Sequence, residues 1–317
     1  MKCLKLTANE CGNNASPAVV KALESLSGGK DSKIVFEKGT YHFYTDGTVK
    51  RFYAVSNNVS SDKDVVFSIR NFDGLTIDGG GSTFVFHNIV FPFAISKSRN
   101  VHLENFCVDR GQTPQAVMRV KEVNENGFSL EIDRGKCPFR VENGNLIFER
   151  EWGKLSSHDR ILGLQSSSTK AVQYLVVGDC DKPTANLATT HVCADATETP
   201  DGVSFVFRPE NKFPFRFDAG ETLLSIVDGG RLSDLIFIER SENVKIRNIT
   251  VKRALGMGVI AQISKNIEID NFSTAPRSEN DPCTLITADA LHFVNCYGKL
   301  EVKNCKISDI GDDVINV

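Results

Sequence analysis

One short phrase returns four times along this chain of 317 residues, and it limits the possible folds more than any other feature. The copies are Ser98–Phe106 (SRNVHLENF), Ser241–Ile249 (SENVKIRNI), Ser264–Phe272 (SKNIEIDNF) and, more loosely, Lys299–Cys305 (KLEVKNC). Asp73–Gly80 (DGLTIDGG) is an early relative. Each sets an aliphatic residue, a polar one and a second aliphatic before a polar pair that often ends in Asn. Alternation with period two marks a strand with one buried face, and the break after the second aliphatic marks a bend. Asn105, Asn248, Asn271 and Asn304 hold the same place in that bend. Asn tolerates left-handed backbone and bonds its neighbours, so stacked copies predict an internal ladder. Val244 to Ile267 is 23 residues (267 − 244), and Ile267 to Leu300 is 33 (300 − 267), one turn plus a loop. Periods in the twenties, built of short strands without helices between them, predict an all-β parallel β-helix.

The flanking sequence completes that architecture. Ser16-Pro17 opens a helix whose Val19, Ala22, Leu23 and Leu26 share one face, and Gly28-Gly29 ends it. Such an amphipathic helix predicts a cap over the exposed first coil. Ile34, Phe36, Tyr41 and Phe43 around Gly39 read as that first coil, and Gly79-Gly80-Gly81 reads as a coil turn because a strand, not a helix, follows it. The repeat is missing from about Gly111 to Arg231. Alternating segments there (115–123, 127–132, 145–149 and 203–208) predict an antiparallel, barrel-like β insertion, with 181–201 as loop. The expected parts are 1–110, cap helix and first coils; 111–231, insertion; and 232–317, the remaining coils.

Composition excludes several classes. With 37 Lys+Arg against 40 Asp+Glu the net charge is −3, which argues against a polycationic nucleic-acid or membrane-surface protein. The longest apolar stretch, 84–95, is short and interrupted, so no membrane insertion is expected. The first 14 residues lack an apolar signal-peptide core, so a secreted or periplasmic location would require a leader already removed. Nine cysteines show no metal-binding spacing and read as mostly buried small residues.

The chemistry points to the last thirty or so residues. Ala288–Phe293 (ADALHF) and Asp312–Val317 (DDVINV) lie one coil apart, so Asp289 aligns with Asp313 (313 − 289 = 24) and His292 with Asn316. Adjacent parallel strands are about 4.8 Å apart, so three carboxylates (Asp289, Asp312 and Asp313) converge on one wall. Like charges that crowd contribute nothing to packing and favour keeping one proton on the cluster. Glycoside hydrolysis uses such a set, one acid for the leaving oxygen and another carboxylate for water. The alternatives are a cation site, as in a β-helix polysaccharide lyase, or a plain turn at Gly311-Asp-Asp. A lyase also wants a basic side chain nearby, and Lys299, Lys303 and Lys306 fall in the next strand and its bend. His292 reads as lining or supporting the site, Arg277 and Glu279 as loop residues able to reach over it, and Trp152 as a sugar-stacking candidate.

Asp289 with His292, then 295–298 (NCYG), then 311–317 (GDDVINV), resembles glycoside hydrolase family 110, exo-acting α-1,3-galactosidases that act with inversion. The resemblance runs loosely over the whole chain and is specific from Thr287 to Val317. It implies a right-handed parallel β-helix with β-barrel insertions, a glycan substrate ending in α-galactose, and no cofactor. It further implies Asp312 as general acid, with Asp289 and Asp313 holding and deprotonating the water. The acid should then stand about 6.5–9.5 Å from the base pair, with Asp289 and Asp313 closer to each other. The arrangement is also similar to that of the family 28 polygalacturonases, which pair one Asp with an Asp-Asp a coil later. The family pattern continues beyond the Asn-Val pair with a His and further coils, so the chain is expected to be the N-terminal portion of a longer protein. A polygalacturonase-like depolymerase, a lyase, and a non-catalytic glycan-binding β-helix are the competing readings.

Overall fold

Burial follows the repeat residue by residue. In Glu242–Val251 and Lys265–Thr274 the residues Val244, Ile246, Ile249, Val251, Ile267, Ile269 and Phe272 are buried, and most residues between them face outward. These strands pair in parallel, with Val101, Val244, Ile267 and Leu300 in register. The separations of 23 and 33 residues counted from the sequence are therefore real pairings. The structure, a computed structural model, describes residues 2–151, 161–169, 171–177, 192–208, 215–225 and 233–317. Trp152 lies outside the described residues.

The chain divides into two compact units, Met1–Gln112 with Gly230–Glu279 and Thr284–Val317, and Thr113–Gly229 with Asn280–Cys283. In the first, the chain alternates between two sheets. An eight-stranded sheet holds the repeat strands, from Lys2–Leu6 through Asp73–Phe86 to Tyr297–Lys303, all parallel. A seven-stranded sheet runs through Val49–Tyr53, Ser61–Arg70, Val90–Ser96, Ile236–Glu239, Val259–Gln262, Leu291–Val294 and Ile315–Asn316. It is parallel except for its first pair. One continuous core fills the space between, including Phe36, Phe67, Phe84, Phe93, Ile246 and Leu291. The expected helix spans Ser16–Leu26, with Pro17 in its first turn and Val19, Ala22, Leu23 and Leu26 buried in that core. The strand Lys2–Leu6 and the short helix Ala8–Cys11 precede it.

Bends stack as the strands do. Asn105, Asn248, Asn271 and Asn304 all have φ between 52° and 62°. Their amides form a ladder, Asn248 Nδ2 to Asn105 Oδ1 at 2.9 Å and Asn271 Nδ2 to Asn248 Oδ1 at 3.0 Å. Two details differ from expectation. The ladder is on the surface, not internal, because the left-handed residue turns its side chain away from the core. Asn304 leaves the ladder and donates to Asp270 Oδ1 at 2.8 Å. A buried ladder exists elsewhere: Ser98 N–H donates to Ser241 Oγ and Ser241 N–H to Ser264 Oγ, both at 3.1 Å. It satisfies backbone donors that the bend would otherwise bury unpaired. Gly80 and Gly81 take φ of 58° and 76°, and the strand resumes after them, so the glycine run is a turn.

The second unit is a closed barrel of seven strands, with cores from Met118, Phe128, Leu164 and Phe205. Its pairings are antiparallel except that Val172–Val177 lies parallel to Val192–Thr199. Val192–Thr199 was expected to be loop; Ala194 and Ala196, which are buried, alternate with Asp195 and Thr197, which are not, so a polar stretch still presents one apolar face.

Candidate active site

The strand Leu291–Val294 positions the first carboxylate. Leu291 pairs with Ile315 and His292 with Asn316, and Ala290 N–H donates to Asp313 O at 2.9 Å, so Asp289 and Asp313 are strand neighbours. Gly311 brings the second segment in: a Cβ there would stand 2.5 Å from Thr287 O, so only glycine allows this approach. Carboxylate oxygens of Asp289, Asp312 and Asp313 all lie within 4.8 Å of one another. Asp289 is 1% exposed and forms the floor, whereas Asp312 and Asp313 are exposed.

Each paired aspartate has a partner three residues on. His292, 2% exposed, has Nδ1 at 2.5 Å from Asp289 Oδ2, where an Nδ1–H donates to the carboxylate. One strand later, Asn316 Nδ2 donates to Asp313 Oδ2 at 3.2 Å. The alignment of His292 with Asn316 read from the sequence is thus also a repeated Asp-to-donor geometry. Fixing a carboxylate by a buried donor selects which oxygen lone pairs remain for substrate or water.

One expected distance is not found. Asp312 was expected across the glycosidic bond, about 6.5–9.5 Å from the other two. Its nearest oxygen instead lies within 4.8 Å of theirs, because Asp312 immediately precedes Asp313 and the bend after Gly311 keeps both on one side. The same oxygens are close enough to ligate one divalent cation.

The loop residues fare differently. Arg277 donates from Nε and Nη2 to Asp109 at 2.8–3.1 Å and to Arg110 O, which ties the loop to the end of the repeat strand Arg99–Arg110. Glu279 is exposed, with no described bond to the aspartates. Lys303 pairs with Glu268, Asp270 and Glu301, and Lys299 with Glu301, on the other sheet.

Sequence reading missed Asp234. The register Ile236, Val259, Leu291, Ile315 places Asp234, Met257, Asp289 and Asp313 in one column. Asp234 is 1% exposed and accepts Met257 N–H at 2.9 Å. The signal was present: 233–238 (SDLIFI) sets an Asp two residues before a buried aliphatic, as 288–293 (ADALHF) does.

No family model matches the chain. Curated proteins do. Over 308 residues, 96% of the chain, it is 30% identical to alpha-1,3-galactosidase A of Shewanella woodyi. It is 28% identical over 305 residues to alpha-1,3-galactosidase B of Bacteroides thetaiotaomicron, and 30% over 311 residues to alpha-1,3-galactosidase B of Phocaeicola vulgatus. The chain spans about half the length of these relatives, 48–49%, and matches their N-terminal halves.

Proposed function

We propose, on the premise that this chain corresponds to the N-terminal half of an α-1,3-galactosidase of glycoside hydrolase family 110, that it carries the catalytic carboxylates of an exo-acting hydrolase for terminal α-1,3-linked galactose. One observation carries the site assignment: three carboxylates converge within 4.8 Å at the place where the resemblance is most specific. We read the two parallel sheets as walls of a right-handed parallel β-helix, with the barrel as its insertion.

In this reading Asp312, exposed at the bend, protonates the glycosidic oxygen as the C–O bond breaks. Asp289 and Asp313 hold a water between them. One takes its proton while the water oxygen bonds to the anomeric carbon from the opposite face, giving β-galactose. His292 and Asn316 hold the two base carboxylates in place through the bonds described. The short spacing of Asp312 from the pair argues against inversion on the general separation rule, so stereochemistry is the first thing to measure. Proton NMR of the fresh hydrolysate should show β-galactose first; α-galactose first would make the enzyme retaining and the roles wrong. Asp312→Asn should abolish turnover of galactosides with poor leaving groups and spare part of it on an activated aryl galactoside. Asp289→Asn and Asp313→Asn should damage both substrates alike, and three active variants would misplace the site.

A cation site is the second reading, favoured by the same 4.8 Å cluster. It predicts a calcium-dependent lyase that yields an unsaturated sugar, so chelation and product analysis separate the two.

A further inference from the structure

The outer face of a solenoid wall ordinarily meets water, yet here much of it is dry. Phe91, Ala94, Phe237 and Ile260 of the seven-stranded sheet, with Met257 and Ala288 just before two of its strands, form a cluster separate from the main core, and all are buried. Tyr53 and Val55 complete it. The segment that follows the strand Val49–Tyr53 therefore covers this face, up to the residue next to Asp289.

That cover is fastened by polar side chains at two points. Gln262, 9% exposed, donates from Nε2 to Ala54 O at 2.9 Å and accepts Ser56 N–H on Oε1 at 3.1 Å. Asn58 Nδ2 donates to both oxygens of Asp234 at 2.8 Å. Between them Asn58 N–H closes a turn on Val55 O at 3.2 Å, with Asn57 left-handed at φ 55°. Lys63, also buried, adds charge near Asp234, and its ammonium lies 5.7 Å from the Phe91 ring centroid. A buried carboxylate is tolerated only with such partners. Holding a surface turn does not by itself call for a buried Asp and a Gln from segments 176 to 208 residues away.

The column geometry says where the turn sits. Asp234 and Asp289 are separated by the single strand bearing Met257, so the Asn58–Asp234 contact is two strand spacings, about 9–10 Å, from the catalytic cluster. The buried cluster runs on from there through Met257 to Ala288, so the covered face ends directly beside Asp289.

We infer that the turn Val55–Asn58, pinned by Gln262 and Asp234, is the end wall of the sugar site and the reason the enzyme is confined to terminal residues. The inference rests on the hydrolase reading and deepens it. A hexose seated over Asp289, Asp312 and Asp313 has the covered face beside it. A glycan carrying a further sugar on that hexose has no place to continue, so the accepted class is glycans whose last hexose is unsubstituted. Asn58 and Gln262 are specificity residues, and Asp234 positions Asn58.

Calorimetric titration of the Asp312→Asn protein tests this without turnover. The ligands are an α-1,3-galactosyl disaccharide and the same compound capped by glucose on the terminal galactose at O3, O4 or O6 in turn. Each capped ligand should bind roughly a hundredfold more weakly than the uncapped one. Adding Asn58→Ala and Gln262→Ala, which release the turn, should recover about tenfold for at least one capped ligand relative to the uncapped one. A capped ligand that binds as tightly as the uncapped one before the turn is released overturns the end wall. So does a folded released-turn protein that still binds the uncapped ligand but gains nothing. If the released-turn protein fails to fold, the panel on the parent still decides. If even the uncapped disaccharide fails to bind, the hydrolase reading falls, a result distinct from equal binding of all ligands.

Discussion

Asn248 is the central member of the surface ladder, and replacing it separates two contributions that the fold combines. Its φ of 52° is left-handed, and its amide donates to Asn105 and accepts from Asn271. Alanine removes both side-chain bonds and also places a Cβ residue without a compensating amide in the left-handed region. Exposed hydrogen bonds lie at the low end of their range, about 0.5 kcal/mol each, so the pair contributes about 1 kcal/mol. The left-handed conformation costs a residue such as alanine about 1 kcal/mol more than it costs Asn. Asn248→Ala should therefore destabilise by about 2 kcal/mol. Asn248→Gly loses the same bonds but adopts the conformation freely, so its cost should be about 1 kcal/mol even after its greater unfolded-state entropy is counted. For a chain of this length 1 kcal/mol is worth roughly 2 °C, so calorimetry should rank the melting of the first unit as wild type, Gly, then Ala, in steps of roughly 2 °C. An alanine variant melting at or above the glycine variant would refute the argument, because then the backbone conformation is not what the bend selects.

The Glu268 carboxylate gives a pH signature. Arg247 at 2.5 Å, with Lys303 and Lys245 beyond it, outweighs its partial burial and holds its pKa at about 2, against an ordinary 4.5. The full shift corresponds to an upper bound of about 3 kcal/mol, which solvent at the sheet surface reduces to about 1–2. A depressed carboxylate stabilises above its unfolded pKa and loses that contribution as pH falls from 4.5 toward 2. Denaturation of Glu268→Gln should thus show a deficit at pH 7 that closes near pH 2, and a deficit independent of pH would contradict it. His292→Ala should lower kcat roughly a hundredfold with KM nearly unchanged, and His292→Gln, which can still donate, should recover part of it; an unaltered kcat in the alanine variant removes His292 from the mechanism. Chelation with EDTA should leave hydrolysis intact, whereas loss of activity restored by calcium would favour the cation reading of Asp289, Asp312 and Asp313.

The repeat determined much of this protein by itself. Burial of every second residue is a local pattern, so Val244, Ile246, Ile267 and Ile269 declare strands with one buried face, and a fixed period declares which strands are neighbours. The pairing of Asp289 with Asp313 could be counted from the sequence for the same reason: a stacked strand is displaced by one period, and side-chain direction follows from period two. Contacts without a period were not legible. Asn304 joins Asp270 instead of Asn271, and Arg277 reaches Asp109, 168 residues earlier. Most consequential is the cover on the aspartate wall, where Asn58 meets Asp234 across 176 residues and Gln262 meets Ala54 across 208. The cost of closing such loops grows only slowly with their length, so chain distance scarcely restricts which segment lands there. The choice belongs to the packed structure, where Phe237 and Ile260 need an apolar partner and buried Asp234 needs donors. A strand pattern specifies the two faces of a sheet, but only the folded chain decides what lies against the outer one.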